Sequence, residues 1–238
     1  MKRNKFLVML ALFFCFNLIF CGCSNKSDYF SVTTSDPIQK LSVENENFAS
    51  IVSPAIVGIK SVSATSGSIG SGVCVKSGGY IVTNYHVISN FGEITLHLHN
   101  GKTCKAMVLK INPDIDIAIL KANYSIPYLS LANSDSVKVG ETVYAVGTPL
   151  SLSFNQTFTK GIVSALNRKI SISLTDSNVN YMENLIQHDA SINSGNSGGP
   201  LLNKFGEVIG INTLKITDAE GLGFAVPVKT FEGIVNSI

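Results

Sequence analysis

The sequence predicts an all-β fold: two antiparallel barrels of about six strands each, joined by a linker and followed by a short C-terminal helix. Three observations predict it. Short apolar runs bounded by turn residues recur in two series. Twenty glycines stand against only seven prolines, which suits a loop-rich β protein. A hydrophobic share of 45% against 14% charged gives 238 residues enough apolar surface to bury a sizeable core.

The first series, over 55–122, reads AIVGI, SGVCV, YIVTN, EITLHLH, KAMVLKI and DIAILKA, with Ser77-Gly78-Gly79 and Asn100-Gly101 among its turns. Residues 123–136 read as a connecting loop. The second series reads ETVYAVG, TKGIVSAL, KISISL, LIQHDASI, GPLLN, EVIGINTL and GFAVPV. After it, Val228, Phe231 and Ile234/Val235 fall at helical spacing, which predicts a docking helix. Ahead of the first series, 44–52 predicts a short amphipathic helix with Phe48, Ile51 and Val52 on one face, stopped by Pro54. The expected domain is 46–238, with barrel one over about 50–125 and barrel two over about 137–228.

The start of the chain reads as an export leader over 1–23. Lys2, Arg3 and Lys5 precede the apolar run FLVMLALFFCFNLIF, which is broken by Asn17 and short of the roughly 20 residues a membrane span needs. IFCGCSN then resembles a bacterial lipoprotein cleavage site, with Gly22 before Cys23, although Phe20 stands where such boxes usually carry Leu. Cys23 is the expected lipidation site; Cys21, after bulky Phe20, suits it less. A plain signal and an uncleaved anchor are the other readings, and all three put the domain outside the cytoplasm. Residues 24–45 are polar and read as a tether. The formal charge of +2 belongs to the leader: without its three cations, 15 basic residues face 16 acidic ones. No basic stripe remains for nucleic acid.

Beyond the leader only Cys74 and Cys104 remain. An exported domain could join them, yet Cys74 lies in the apolar run SGVCV, where a free thiol acts as a small hydrophobe. The pairing stays open at this level, and neither reads as a nucleophile. His97 and His99 alternate in TLHLHN, so both are expected on one solvated side of a strand. No calcium loop, zinc pattern or phosphate loop occurs, so no cofactor and no metal are predicted.

Residues 188–203, HDASINSGNSGGPLLN, hold the chemistry. Gly195-Asn196-Ser197-Gly198-Gly199 satisfies the G-x-S-x-G elbow of α/β-hydrolases, but that fold needs a histidine after the serine. The four histidines stand at 86, 97, 99 and 188, all before it. The order His, Asp, Ser fits instead. YIVTNYHVI ends an apolar strand at His86, and NPDIDIAILKA offers two carboxylates. Asp116, leading straight into IAIL, can sit half-buried and orient an imidazole; Asp114 in the turn is expected to be solvated.

TNYHVI, DIDIAILK, GIVSAL, DASINSGNSGGPLLN and GINT…GFAVPV together resemble the protease domain of the HtrA/DegP family of trypsin-like serine peptidases, over about 48–228. The resemblance implies two six-stranded antiparallel Greek-key barrels with the active site between them. It implies His86 as general base and then acid, Asp116 as its orienter and Ser197 as nucleophile. Gly195, Asn196 and Ser197 would form the oxyanion hole. The strand over 210–213, with Asn212 and Thr213, would pair with extended substrate. Ile192 and Leu214 would border a pocket for small or medium aliphatic side chains, modified by Lys215. Asp189 stands eight residues before the serine, where the trypsin-type pocket acid stands six before, so it reads as support for the serine loop.

The resemblance also implies an exported, membrane-tethered serine endopeptidase that acts on unfolded or extended polypeptide in protein quality control. Family members often form trimers through the segment before the first barrel, so 44–52 would be the homotrimer contact. Two departures qualify this. The family usually carries a PDZ domain after the protease, and this chain ends at Ile238, so peptide sensing is expected only through a partner. PLSLSFNQ has serines where the family loop is glycine-rich. These departures motivate an alternative, a catalytically silent binding or chaperone module; an esterase using the same residues is a third reading.

Overall fold

The computed structural model describes residues 38, 47–64, 66–89, 92–148, 156–175, 178–193, 195–215 and 221–238, with backbone alone at 172–175, 178–180, 214 and 215. The leader 1–23, the 149–155 part of PLSLSFNQ and the tether apart from Ile38 lie outside the described residues. Ile38 itself departs from the tether reading. It is buried, and its N–H donates to the Tyr128 carbonyl at 2.9 Å.

Helix α1 (Phe48–Val52) runs into a 3-10 turn at Ser53–Ala55, where Pro54 ends it. Its apolar face is spent on its own chain: Phe48 and Val52 are buried, and Phe48 stacks on Tyr144 with ring centroids 4.3 Å apart. Barrel one comprises β1 (Ile56–Val62), β2 (Gly67–Lys76), β3 (Tyr80–Thr83), β4 (Glu93–His97), β5 (Thr103–Asn112) and β6 (Ile117–Ala122). A one-turn helix, α2 (Tyr85–Ile88), follows β3. Barrel two comprises β7 (Thr142–Gly147), β8 (Thr157–Thr175), β9 (Asn178–His188), β10 (Pro200–Asn203), β11 (Val208–Lys215) and β12 (Gly223–Pro227). Helix α3 (Val228–Asn236) ends the fold. Barrel one closes in the order β1-β2-β3-β6-β5-β4, and barrel two in the order β10-β11-β12-β9-β8-β7. All strand pairs are antiparallel, so closure leaves neither sheet an open edge.

Four boundaries differ from the sequence reading. TKGIVSAL and KISISL form one strand, β8, because Asn167 between them takes a left-handed φ of 54° and bulges the strand instead of turning it. LIQHDASI ends as a strand at His188. Strand β4 ends at His97, and His99 falls in the following turn. The 123–136 loop carries a parallel bridge from Leu131 to Val208 and a 3-10 turn at Ser134–Ser136. Cys74 and Cys104 are both free thiols, and burial pushes the Cys74 pKa up to about 12.

Each barrel has its own interior. Val57, Ile59, Ile81, Leu96 and Leu120 fill the first; Val143, Ala145, Val163, Leu201 and Ile209 fill the second. A third cluster joins residues of both barrels, among them Val73, Val82, Ile119, Val146, Ile211 and Phe224, and includes Phe231 of α3. Burying Phe231 completely contributes roughly 2 kcal/mol. This shared core presses β2 and β3 of barrel one against the loop before β10 of barrel two.

Candidate active site

Barrel one supplies His86 and Asp116. Strand β3 ends at Thr83, and α2 buries Val87 and Ile88, which leaves His86 on the outer side with 47% of its side chain exposed. Asp116 closes the 3-10 turn Pro113–Ile115, whose first amide is capped by the Asn112 side chain. It takes a left-handed backbone (φ 55°, ψ 42°), a conformation that Asp tolerates better than most residues. That geometry turns its carboxylate back toward α2. His86 Nδ1 lies 2.7 Å from Asp116 Oδ2, and the His86 N–H donates to Oδ1 at 2.9 Å. A carboxylate accepts only, so the imidazole proton sits on Nδ1 and Nε2 is left as the basic nitrogen. The Asp116 side chain is 15% exposed, whereas Asp114 is exposed in the turn.

Three further donors hold Asp116. Its carbonyl accepts from the Tyr85 N–H at 3.1 Å and from Asn84 Nδ2 at 2.9 Å. Its Oδ2 also accepts from Thr213 Oγ1 at 2.7 Å. Asn84 is fully buried. Its signal in the sequence is faint: a lone asparagine between an apolar strand and the histidine.

Barrel two supplies Ser197. In the loop 195–199 the amides of Asn196, Gly198 and Gly199 donate to the carbonyls of Asn193, Asn212 and Asn196, at 3.0, 2.8 and 2.9 Å. The N–H groups of Gly195 and Ser197 have no backbone acceptor among the described residues. Gly195 has φ 100°, which a residue with a Cβ would resist. Two such amides, on either side of a single residue, can bind one developing oxyanion. The Asn196 side chain is buried and its amide has no partner among the described residues. Ser197 Oγ donates to the Thr213 carbonyl at 3.3 Å; among the described residues it makes no hydrogen bond to His86. Thr213 therefore touches both halves, Asp116 through its hydroxyl and Ser197 through its carbonyl.

The remaining residues singled out by the sequence divide. Asn212 is corrected as a substrate-pairing residue. Its N–H and Nδ2 donate to the Gly199 carbonyl at 2.9 and 3.1 Å, its Nδ2 also reaches the Pro200 carbonyl at 2.9 Å, and its own carbonyl accepts from Gly198. Buried, with its N–H, its carbonyl and its Nδ2 all engaged, it holds the serine loop from behind. The Thr213 side chain likewise faces Asp116 and not a substrate groove. Ile192 is buried in the interior cluster of barrel two, and the Leu214 backbone pairs with Phe224. Asp189 Oδ1 accepts from the Ile162 N–H at 2.6 Å, tying the chain ahead of the serine loop to β8. His188 is fully buried; burial pulls its pKa down to about 4, against the Asn212 side chain and the Asp189 charge.

A family model described as a trypsin-like peptidase domain matches residues 70–211. The probable periplasmic serine endoprotease DegP-like of Chlamydia pneumoniae is 41% identical over 173 residues, covering 71% of this chain and 34% of that protein. The serine protease Do-like HtrB of Bacillus subtilis (strain 168) is 41% identical over 175 residues, covering 71% and 38%. The chain thus spans little more than a third of these relatives' lengths. Among solved structures, the HtrA-type protease AlgW with tripeptide superposes with a TM-score of 0.68 at 35% identity, over 81% of this chain and 62% of that one. The serine endoprotease from Yersinia pestis gives 0.67 at 34% identity, over 80% and 65%. With two closed barrels, a His86–Asp116 pair facing the Ser197 loop, and a family match over more than half its length, the chain belongs to the trypsin-like peptidases, and its relatives are HtrA/DegP serine proteases.

Proposed function

We propose that this chain is a serine endopeptidase that cleaves extended polypeptide through an acyl-enzyme. The observation that carries the reading is the 2.7 Å contact between His86 and Asp116, made beside a loop whose Gly195 and Ser197 amides have no acceptor among the described residues. Rotation of the Ser197 side chain away from the Thr213 carbonyl brings its Oγ to His86 Nε2. His86 takes the hydroxyl proton as Oγ bonds to the scissile carbonyl carbon, and Asp116 stabilises the imidazolium. The carbonyl oxygen, now anionic, accepts from the Gly195 and Ser197 N–H groups, whose spacing Asn196 sets. The C–N bond then breaks, and His86 passes its proton to the leaving amine. Water, deprotonated by His86, releases the acyl group and restores Ser197. Buried Ile192 and the Leu214 backbone border the side-chain pocket, and pairing with substrate falls to β11 beyond Asn212.

The wider reading is an extracytoplasmic enzyme held at the membrane through Cys23 and the polar segment that follows it, acting in protein quality control; a homotrimer joined through 44–52 would use the exposed Asn47, Ala49 and Ser50, because Phe48 and Val52 are buried within the chain. Its support is the leader in the sequence and the periplasmic relative. One observation favours a second reading, a catalytically silent binding module: Ser197 Oγ rests on Thr213 and not on His86. A fluorophosphonate probe on the purified, folded chain separates the two. Labelling of wild type that disappears in Ser197→Ala supports the peptidase; an unlabelled wild type assigns the fold to binding.

A further inference from the structure

Ser71 is fully buried in β2 of barrel one, yet its polar atoms serve the serine loop of barrel two. Its Oγ donates to the Gly195 carbonyl at 2.6 Å, across 124 residues of sequence, and its N–H donates to the Ser197 carbonyl at 2.9 Å. The same Oγ accepts from the Thr148 N–H at 2.8 Å, just after β7. Its own carbonyl accepts from Thr83 Oγ1 at 2.6 Å, in the strand that leads to His86. The approach is backbone to backbone. A Cβ on Gly198 would lie 2.2 Å from the Ser71 carbonyl oxygen and 2.3 Å from Thr83 Oγ1.

These contacts fall on the two residues whose amides are unspent. The peptide plane after Gly195 is held by Ser71 Oγ on one side and by the Asn196 N–H to Asn193 on the other. The plane after Ser197 is held by the Ser71 N–H and by Gly198 to Asn212. Gly195 has no Cβ to restrict it, so an unanchored carbonyl leaves its neighbouring planes free to rotate. We propose that Ser71 is a positioning residue for the oxyanion pocket: by fixing the carbonyls of Gly195 and Ser197 from the opposite barrel, it aims their N–H groups at one point. The inference rests on the peptidase reading, and it adds that barrel one organises the anion site as well as the general base.

The test compares wild type with Ser71→Ala, Ser71→Thr and Ser71→Cys in turnover of an unfolded polypeptide and in inhibition by a peptide boronate, which bonds to the serine and places an oxygen in the pocket. Ser71→Ala is expected to lower kcat by roughly 10- to 100-fold with KM within about twofold, and to weaken boronate inhibition in parallel. The acid limb of the pH–rate profile should stay in place, because the His86–Asp116 pair is untouched. Ser71→Thr, which keeps the hydroxyl, should recover most of the rate. The weak S–H donor of Ser71→Cys should give an intermediate one, and this variant carries the test if Ser71→Ala does not melt like wild type. An active wild type with unchanged kcat in every folded variant overturns the role of Ser71 alone. An inactive wild type overturns it together with the peptidase reading.

Discussion

The two halves of the site are built differently. The His86–Asp116 half draws both residues from one barrel and about thirty residues of chain, with a single bond from the other barrel, Thr213 Oγ1 to Asp116 Oδ2. Asp116 receives five, four of them from the consecutive residues Asn84, Tyr85 and His86. The Ser197 half is held from two barrels, by Ser71 of β2 and by Asn212 of β11. Its last bond is not made, since Ser197 Oγ rests on the Thr213 carbonyl. On the proposed peptidase reading, the His86–Asp116 base is paired in the resting fold, whereas the Ser197 hydroxyl has yet to leave the Thr213 carbonyl. On that reading, substrate binding would complete a site whose costly part, a left-handed Asp116, is settled during folding.

Breaking the assembled half should have the largest effect. Asp116→Asn keeps the shape but removes the acceptor that fixes the imidazole proton on Nδ1, so kcat should fall about 10⁴-fold. Measured against wild type on one substrate, a loss below tenfold would contradict the assignment of Asp116 as orienter.

Breaking the cross-barrel half comes next. Gly198 has φ 83° and no room for a methyl group, whereas Gly101 has φ 78° with nothing within 4 Å of the same position. Gly101→Ala should cost about 1 kcal/mol through backbone conformation alone. Gly198→Ala should cost roughly 4 kcal/mol, because the clash with Ser71 and Thr83 adds to it. Urea midpoints of the two variants check the difference; equal shifts would mean that the barrels do not meet there backbone to backbone.

The smallest effect sharpens the comparison through pH. Buried His188, behind the serine loop, has a folded pKa of about 4, below the ordinary 6.5. Between these values the unfolded chain holds a proton that the fold refuses. Stability is thus full above pH 6.5 and falls toward pH 4, by up to about 3 kcal/mol. Urea unfolding at pH 7, 5.5 and 4.5 should show this slope, and His188→Gln should flatten it. An identical slope in the variant would place the titrating group elsewhere.

Much of the fold was legible because it depends on local pattern. Turn-bounded apolar runs marked every strand, and the Val228, Phe231, Val235 spacing marked α3. The one false division, inside β8, arose because Asn167 bulges a strand by the same left-handed backbone that would end one. The candidate site was legible where residue type, order and neighbours all carry information, as with His86 after an apolar strand, Asp116 before one and Ser197 among glycines. Asn84, Ser71 and Thr213 carried no such signal. Each is a small polar residue in or beside an apolar run, where spacing cannot tell a buried hydrogen bond from a solvated hydroxyl.

By itself, then, the sequence determined the strand runs, their division into two series, and the residues from which a serine-peptidase site would be drawn. Only the tertiary structure decided the strand order in which each series closes, that Asn212 faces the serine loop and not a substrate, and that Ser71 reaches Gly195. The physical reason is range. Side-chain periodicity is set by neighbours two to four residues apart, but a hydrogen bond across 124 residues exists only once two cores have packed together.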